Sequence, residues 1–270
     1  MGNNQSARQW KNLKKNLSQH DLNVLWHPCT QMHDHESFPL IPIKSANGVW
    51  PQDFGDNRYL DAISSWWVNL FGHTNPDINA ALKTQLDTLE QVIFAGFTHE
   101  TAIDLTKKLV NLTPAGLSRC FYADNDSFAV EVALKMSFHS WQNRGLHRKT
   151  KFITLENSYH GKTLGALAVG KVELYKKTYA PLLIEVITAP NPDCYFREEN
   201  ETWADYSMRQ FAHLETILKQ HAENVCAVII EPLVQCAGSM RMYDPIYLTL
   251  LREACDKYCE QGAIHLIFYI

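Results

Sequence analysis

Residues 225 to 230 read Val-Cys-Ala-Val-Ile-Ile, six apolar positions in a row. A strand with one face in water alternates apolar and polar side chains. An unbroken apolar strand belongs in a sheet covered on both faces, which in practice means a parallel sheet between layers of helices. Strand-like runs at 151–155, 183–188 and 264–267 repeat the theme. Segments with helical spacing separate them. One opens near Asp126 and places Ala129, Val130, Ala133, Leu134 and Trp141 on one face. A short one covers 163–169. Another spans 203–221 with Phe211, Leu214, Ile217 and Leu218 inward, and the last spans 245–261 with Gly262 as its stop. Strand–helix alternation of this kind predicts an α/β fold with a mostly parallel sheet flanked by helices. Apolar residues are 46% of the 270, enough to fill such a core.

The first part of the chain has a different texture. Residues 1–20 read as a polar arm or short helix. Residues 40–50 and 58–63 alternate around the turn Asp53-Phe54-Gly55-Asp56-Asn57, which predicts a small antiparallel meander. Ser64-Ser65-Trp66-Trp67 follows. In a strand these two tryptophans face opposite sides, one toward a core and one toward a pocket. Asn75-Pro76 opens a helix as cap and first residue, with Ile78, Ala81, Leu82, Leu86 and Leu89 as its buried face, and a second helix covers 100–112. The expected organisation is an arm (1–20), part of a small domain (21–75) and a larger domain (76–270).

Bulk properties narrow the function classes. A net charge of −4 argues against nucleic acid or an anionic membrane surface as partner. No apolar run approaches the roughly 18 residues that a membrane span needs. Seven scattered cysteines fit reduced thiols in a cytoplasmic protein better than a disulfide framework. Met1-Gly2-Asn3-Asn4-Gln5-Ser6 matches a myristoylation template, a pattern short enough to arise by chance. His27, Cys29, His33 and His35 have no spacing of a closed metal site, so packed or solvated side chains are the expectation and no metal is assigned.

Three stretches carry chemistry. Cys120–Ala123 reads as a strand, Asp124–Ser127 as a turn, and a helix follows. Strand, turn and helix aim free amides and a helix dipole at an anion, although an ordinary turn capped by Asp126 or Ser127 has the same sequence. Asn157-Ser158-Tyr159-His160-Gly161-Lys162-Thr163 follows a strand and opens a helix. It is half a phosphate loop, with Glu156 where that template needs glycine, so an aromatic and a histidine placed to contact a ring-shaped ligand, or a turn with a buried tyrosine, fit it better. Glu231-Pro232-Leu233-Val234-Gln235-Cys236-Ala237-Gly238 follows the buried strand. An acid there is costly without a partner, so it is either a site residue or one half of an ion pair with Arg241.

Trp26-His27-Pro28, Ser64-Ser65-Trp66-Trp67, Ala123-Asp124-Asn125 with Ala129–Ala133, Tyr159-His160-Gly161 and Glu231-Pro232…Gln235…Ala237-Gly238 occur in one order at consistent spacing. Together they resemble the class III, fold-type I aminotransferases that use pyridoxal 5'-phosphate. The likeness is greatest to the biotin-pathway branch, which moves an amino group from adenosylmethionine to 8-amino-7-oxononanoate. The resemblance implies a homodimer with small-molecule substrates. It implies that Asp126 and Ser127 hold the cofactor phosphate, that Tyr159 covers one face of the ring, and that His160 and Glu231 lie near it. Trp67, with Tyr159, would wall the substrate cleft.

The sequence departs from that family in ways that bear on activity. Asp126-Ser127-Phe128 stands where the family has Gly-Ser-Ser or Gly-Ser-Thr. At about 4 Å and an effective dielectric near 20, a like-charge pair costs roughly 4 kcal/mol, against about 0.3–2 kcal/mol returned by a helix terminus. Lys162 replaces an acid and Ser239 a glycine. The resemblance places the lysine that holds the cofactor covalently, and the aspartate that binds its ring nitrogen, after Ile267, and Phe268-Tyr269-Ile270 supply neither. The expectation is a family domain incomplete at its C-terminus that catalyses little alone, or a non-catalytic partner of an intact subunit.

Overall fold

The computed structural model describes residues 3–258 and 264–268. Gly2 and Gly262, the predicted acylation site and helix stop, lie outside them. The chain divides into two compact units, Met1–Pro114 and Ala115–Ile270.

In the first unit, helix α1 runs Asn3–Val24, longer than the predicted arm, and a single turn α2 covers Asp34–Ser37. Strands β1 (Ile43–Asn47) and β2 (Trp50–Asp53) pair antiparallel. The predicted third strand is absent among the described residues, where a single bridge from Gln52 to Arg58 stands in its place. Asp53 explains why the chain turns away. Its carboxylate accepts from the backbone amides of Gly55 (2.8 Å) and Asn57 (2.9 Å), from Asn57 Nδ2 (2.9 Å) and from Tyr59 Oη (2.9 Å).

Ser64–Trp67, labelled α3, is not the predicted strand. Its four residues have φ of 50°, 47°, 66° and 69°, a turn wound left-handed, at about 1–2 kcal/mol per residue for L-amino acids. Asp61 holds it, accepting from Ser65 N (2.8 Å), Ser65 Oγ (2.7 Å) and His73 Nε2 (2.9 Å). Trp66 and Trp67 are 61% and 59% exposed, so neither serves a core. Helix α4 (Pro76–Leu86) starts as predicted, with Asn75 Oδ1 accepting from Asp77 N and Ile78 N, both 3.1 Å, and α5 spans Glu100–Leu112. The predicted buried face of α4 is exposed at Ile78, Leu82 and Leu86. Among the described residues of this unit Asp53 is the single buried one, so the apolar faces have no cover within it.

The second unit contains α6 (Asp126–Asn143), β3 (Lys151–Leu155), α7 (Leu164–Val169), α8 (Glu173–Lys176), β4 (Ile187–Ala189), α9 (Trp203–His221), β5 (Val225–Ile230), a small antiparallel pair β6 (Val234–Gln235) and β7 (Arg241–Met242), α10 (Ile246–Lys257) and β8 (His265–Phe268). Strands β4, β3, β5 and β8 lie side by side in that order, all parallel. Every residue of β5 is buried, as its apolar run requires. Phe211, Leu214 and Leu218 of α9, Tyr247 and Leu251 of α10, and Val130, Leu134 and Trp141 of α6 complete the core. Trp141 Nε1 donates to Cys226 O (2.8 Å), which ties α6 to the sheet. Ala129, predicted on that face, is exposed. Cys120–Ala123 lacks a ladder partner among the described residues and stays outside the sheet, with Phe121 exposed.

The strand order puts a topological switch point between β3 and β5. The connection leaving β3 runs to β4 on one side, and the connection leaving β5 runs to β8 on the other. Adjacent strands whose outgoing chains part in opposite directions open a crevice beyond their carboxyl ends.

Candidate functional site

The crevice lies between the loops that follow Leu155 and Ile230. Glu231 is the first residue after β5 and is only 4% exposed. Its Oε2 accepts from Tyr159 N (2.9 Å), so the two loops meet through the two residues singled out from sequence. Tyr243 Oη donates to the Glu231 carbonyl (2.5 Å) and fixes its backbone. The predicted alternative, an ion pair with Arg241, does not form. Arg241 bonds Asp193 Oδ2 (2.8 Å) and Gly238 O (2.9 Å) instead. Burial pushes the Glu231 carboxyl up to about 7, against the pull of the Tyr159 and Cys236 amides. A carboxyl poised there gives and takes a proton at neutral pH, a property concentrated at reactive sites.

The Tyr159 ring is half-buried and meets Tyr175 edge-to-face at 5.8 Å, and Lys162 Nζ stands 5.0 Å over the Tyr175 ring. His160 points inward. It is fully buried, with Nε2 3.4 Å from Thr154 Oγ1, and burial pushes its imidazole down to about 3, so it is neutral. Trp67 belongs to the first unit. Of the residues around His27, His27 Nε2 lies 2.5 Å from Asp21 Oδ1 and His33 bonds Glu36. Among the described residues no three His, Cys, Asp or Glu side chains converge as a metal would need. No disulfide joins the described cysteines.

Two residues that the motifs contain, but to which sequence reasoning gave no role, organise this edge. Gln235 is fully buried. Its Nε2 donates to Glu156 O (3.1 Å) and its Oε1 accepts from Asn191 Nδ2, so one side chain joins the loops after β3, β4 and β5. Glu131 on α6 accepts from Thr163 Oγ1 and from backbone amides at the start of α7. Its position four residues after Ser127 was the available signal, since that spacing puts both on one helix face.

The start of α6 tests the expected phosphate cup. Asn125, rather than Asp126 or Ser127, caps the helix, its Oδ1 accepting from Phe128 N (2.8 Å). Asp126 Oδ1 accepts from Ser127 N (2.8 Å), and Ser127 Oγ accepts from Lys162 N (3.2 Å). The donors a phosphate would use are therefore held by side-chain oxygens, one of them a carboxylate. In this arrangement these residues do not fit the phosphate of pyridoxal phosphate, and like-charge repulsion outweighs the helix dipole.

Residues 30–263 match the model of the class-III aminotransferases. The adenosylmethionine-8-amino-7-oxononanoate aminotransferase of Helicobacter pylori is 48% identical over 95% of this chain and 56% of its own length. The protein of that name from Aquifex aeolicus is 38% identical over 92% of this chain and 55% of its own. The chain thus spans about half the length of the curated relatives it matches. Among solved structures, the Methanocaldococcus jannaschii protein of the same name superposes with a TM-score of 0.85 at 32% identity, over 95% of this chain and 55% of that one. An omega transaminase from Pseudomonas jessenii superposes at 0.82 with 25% identity, over 90% and 54%. The architecture is that of a fold-type I aminotransferase, and this chain belongs to the class-III aminotransferase family.

Proposed function

We propose that this chain supplies the sheet and ring-contacting loops of a transaminase that takes an amino group from adenosylmethionine to 8-amino-7-oxononanoate. The observation that carries this reading is the Tyr159–Glu231 contact at the crevice between β3 and β5, in a chain whose relatives share that one activity in their names. Pyridoxal phosphate is the cofactor the family uses, and its ring would lie against Tyr159 with Glu231 near it and Trp67 toward the substrate. By the family resemblance no lysine of these 270 residues corresponds to the one that holds the cofactor covalently, and Asp126 weakens the phosphate site. The protein works in the cytoplasm.

Two measurements test this. The 270-residue chain is incubated with pyridoxal phosphate, reduced with borohydride and mapped by mass spectrometry. No lysine-linked cofactor is expected, and a stoichiometric one whose absorbance adenosylmethionine bleaches would show that a lysine of these 270 residues holds it. The chain is also fused, with Asp126→Gly, to the remaining portion of the Helicobacter pylori relative. Amine transfer to 8-amino-7-oxononanoate is expected, and a folded, cofactor-loaded fusion without it would sink the assignment.

A second reading has its own support, the bare apolar surface of the first unit. Trp26 is 87% exposed, and Leu70 and Phe71 lie open beside the two tryptophans. Such a surface marks a place where another protein surface sits, and the family's homodimer makes a second copy or an intact subunit the occupant. Sedimentation decides it, since a soluble monomer with one cooperative melt would count against this reading.

A further inference from the structure

Helix α6 turns Ser127 and Glu131, four residues apart, toward the loop that joins β3 to α7. Ser127 Oγ accepts from Lys162 N (3.2 Å). Glu131 Oε1 accepts from Thr163 Oγ1 (2.6 Å), Gly165 N (2.6 Å) and Ala166 N (3.2 Å). The approach is close enough that a side chain at either of two glycines would have to push the Ser127 or Glu131 side chain aside. A β-carbon at Gly161 would lie 2.4 Å from Ser127 Oγ, and one at Gly165 would lie 2.3 Å from Glu131 Oε2. Helix α7 does not cap itself, because Thr163 makes no side-chain cap bond. A carboxylate from another helix takes its first amides instead. At its far end Lys176 Nζ donates to Ala168 O (2.6 Å) and Gly170 O (3.0 Å). The loop is thus fixed at three points. Glu231 holds Tyr159 N, Ser127 holds Lys162 N, and Glu131 holds the entry to α7.

We propose that Glu131 is a positioning residue that sets where the Tyr159 ring stands at the crevice. This rests on the reading of Tyr159 as the residue that contacts the ring. Glu131 itself touches no ligand. It fixes the start of α7, and so the end of the loop that carries Tyr159, whose ring meets Tyr175 edge-to-face.

The test uses the 270-residue chain without any cofactor. Amide hydrogen exchange is followed in Glu131→Ala and Glu131→Gln, together with the rate at which tetranitromethane nitrates Tyr159. Hydrogen bonds to a charged acceptor are strong enough that Glu131→Ala is expected to speed exchange at Gly165, Ala166 and the 156–163 loop by at least about tenfold. Nitration of Tyr159 should rise with it, while the amides of β5 stay protected. Glu131→Gln keeps an acceptor and should restore both readouts most of the way. Gly165→Ala drives the carboxylate off its amides and should reproduce Glu131→Ala, which keeps the test open if one variant folds poorly. Unchanged loop exchange, or a rise shared equally by β5, would overturn the proposal. No readout involves a cofactor, so a negative result leaves the transaminase reading standing, and the reverse holds too.

Discussion

Replacing Glu231 by glutamine isolates the most perturbed acid of the crevice. In the folded chain burial holds this carboxyl near 7 against an ordinary 4.5. Between those pH values the folded state binds a proton that the unfolded state has released. The stability this contributes is complete below pH 4.5 and is lost as pH rises through 7. A tenfold difference in proton affinity is worth about 1.4 kcal/mol, so the whole swing is about 3 kcal/mol, an upper figure for a group with some solvent contact. Glutamine matches the protonated acid in shape, keeps an acceptor for Tyr159 N and does not titrate. The variant should therefore equal the parent at pH 4.5 and exceed it by up to about 3 kcal/mol at pH 8. Urea unfolding followed by tryptophan fluorescence, at half-unit steps from pH 4.5 to 8.5, measures this. The parent curve alone is not diagnostic, because His160 pulls the other way. Its imidazole, held near 3 by burial, makes the folded state gain stability as pH rises from 3 to 6.5. The variant-minus-parent difference cancels that contribution. A difference that is flat across the range, or a parent more stable at pH 8, would show that the folded chain accommodates an ionised Glu231. The near-neutral carboxyl at the crevice would then be refuted.

Two further perturbations address the segments where this chain stands apart. Asp126→Gly removes the carboxylate that occupies Ser127 N, and with solvent screening discounted the affinity for pyridoxal phosphate should rise by about tenfold or more. Equilibrium dialysis checks it, and equal affinities would refute the repulsion argument. Asp61→Ala removes two hydrogen bonds from the left-handed turn at Ser64–Trp67 and the one that ties it to His73, so exchange at the amides of Ser65 and Asn69 should accelerate and tryptophan emission should shift, whereas a turn that keeps its protection is held by something other than Asp61.

The second unit was legible because its signals are local and mutually consistent. The apolar runs at 151–155 and 225–230 emerge as strands with those bounds, and the helix at 203–221 does as well. Where a prediction failed, the deciding partner was remote or missing from the pattern. Cys120–Ala123 has strand composition, but a strand exists only with a neighbour. Val130 and Leu134 of α6 sink into the core while Ala129 stays out, since the buried stripe is chosen by the sheet the helix lands on. The left-handed turn at Ser64–Trp67 runs against the conformational preference of all four of its residues, and the carboxylate of Asp61, together with backbone bonds from Trp67 N to Ile63 O and from Asn69 N to Ser64 O, makes it tenable, none of which a hydrophobic pattern displays.

The crevice shows the same division between what a motif names and what it leaves out. Tyr159 and Glu231 were identifiable because an aromatic and an acid at strand ends are conspicuous, and the structure joins them. Gln235 and Asp193 were not, because their work is to hold groups distant in the sequence, and Glu131 offered only its spacing from Ser127 along one helix face. His160 sits between these cases. Its place beside Tyr159 made it a candidate for contact with a ring, yet His160, like Ser158, is fully buried, and it turns inward to meet Thr154. A neutral, buried imidazole there packs beneath the loop, while Tyr159 is half-buried at its surface and its amide meets the near-neutral carboxyl of Glu231.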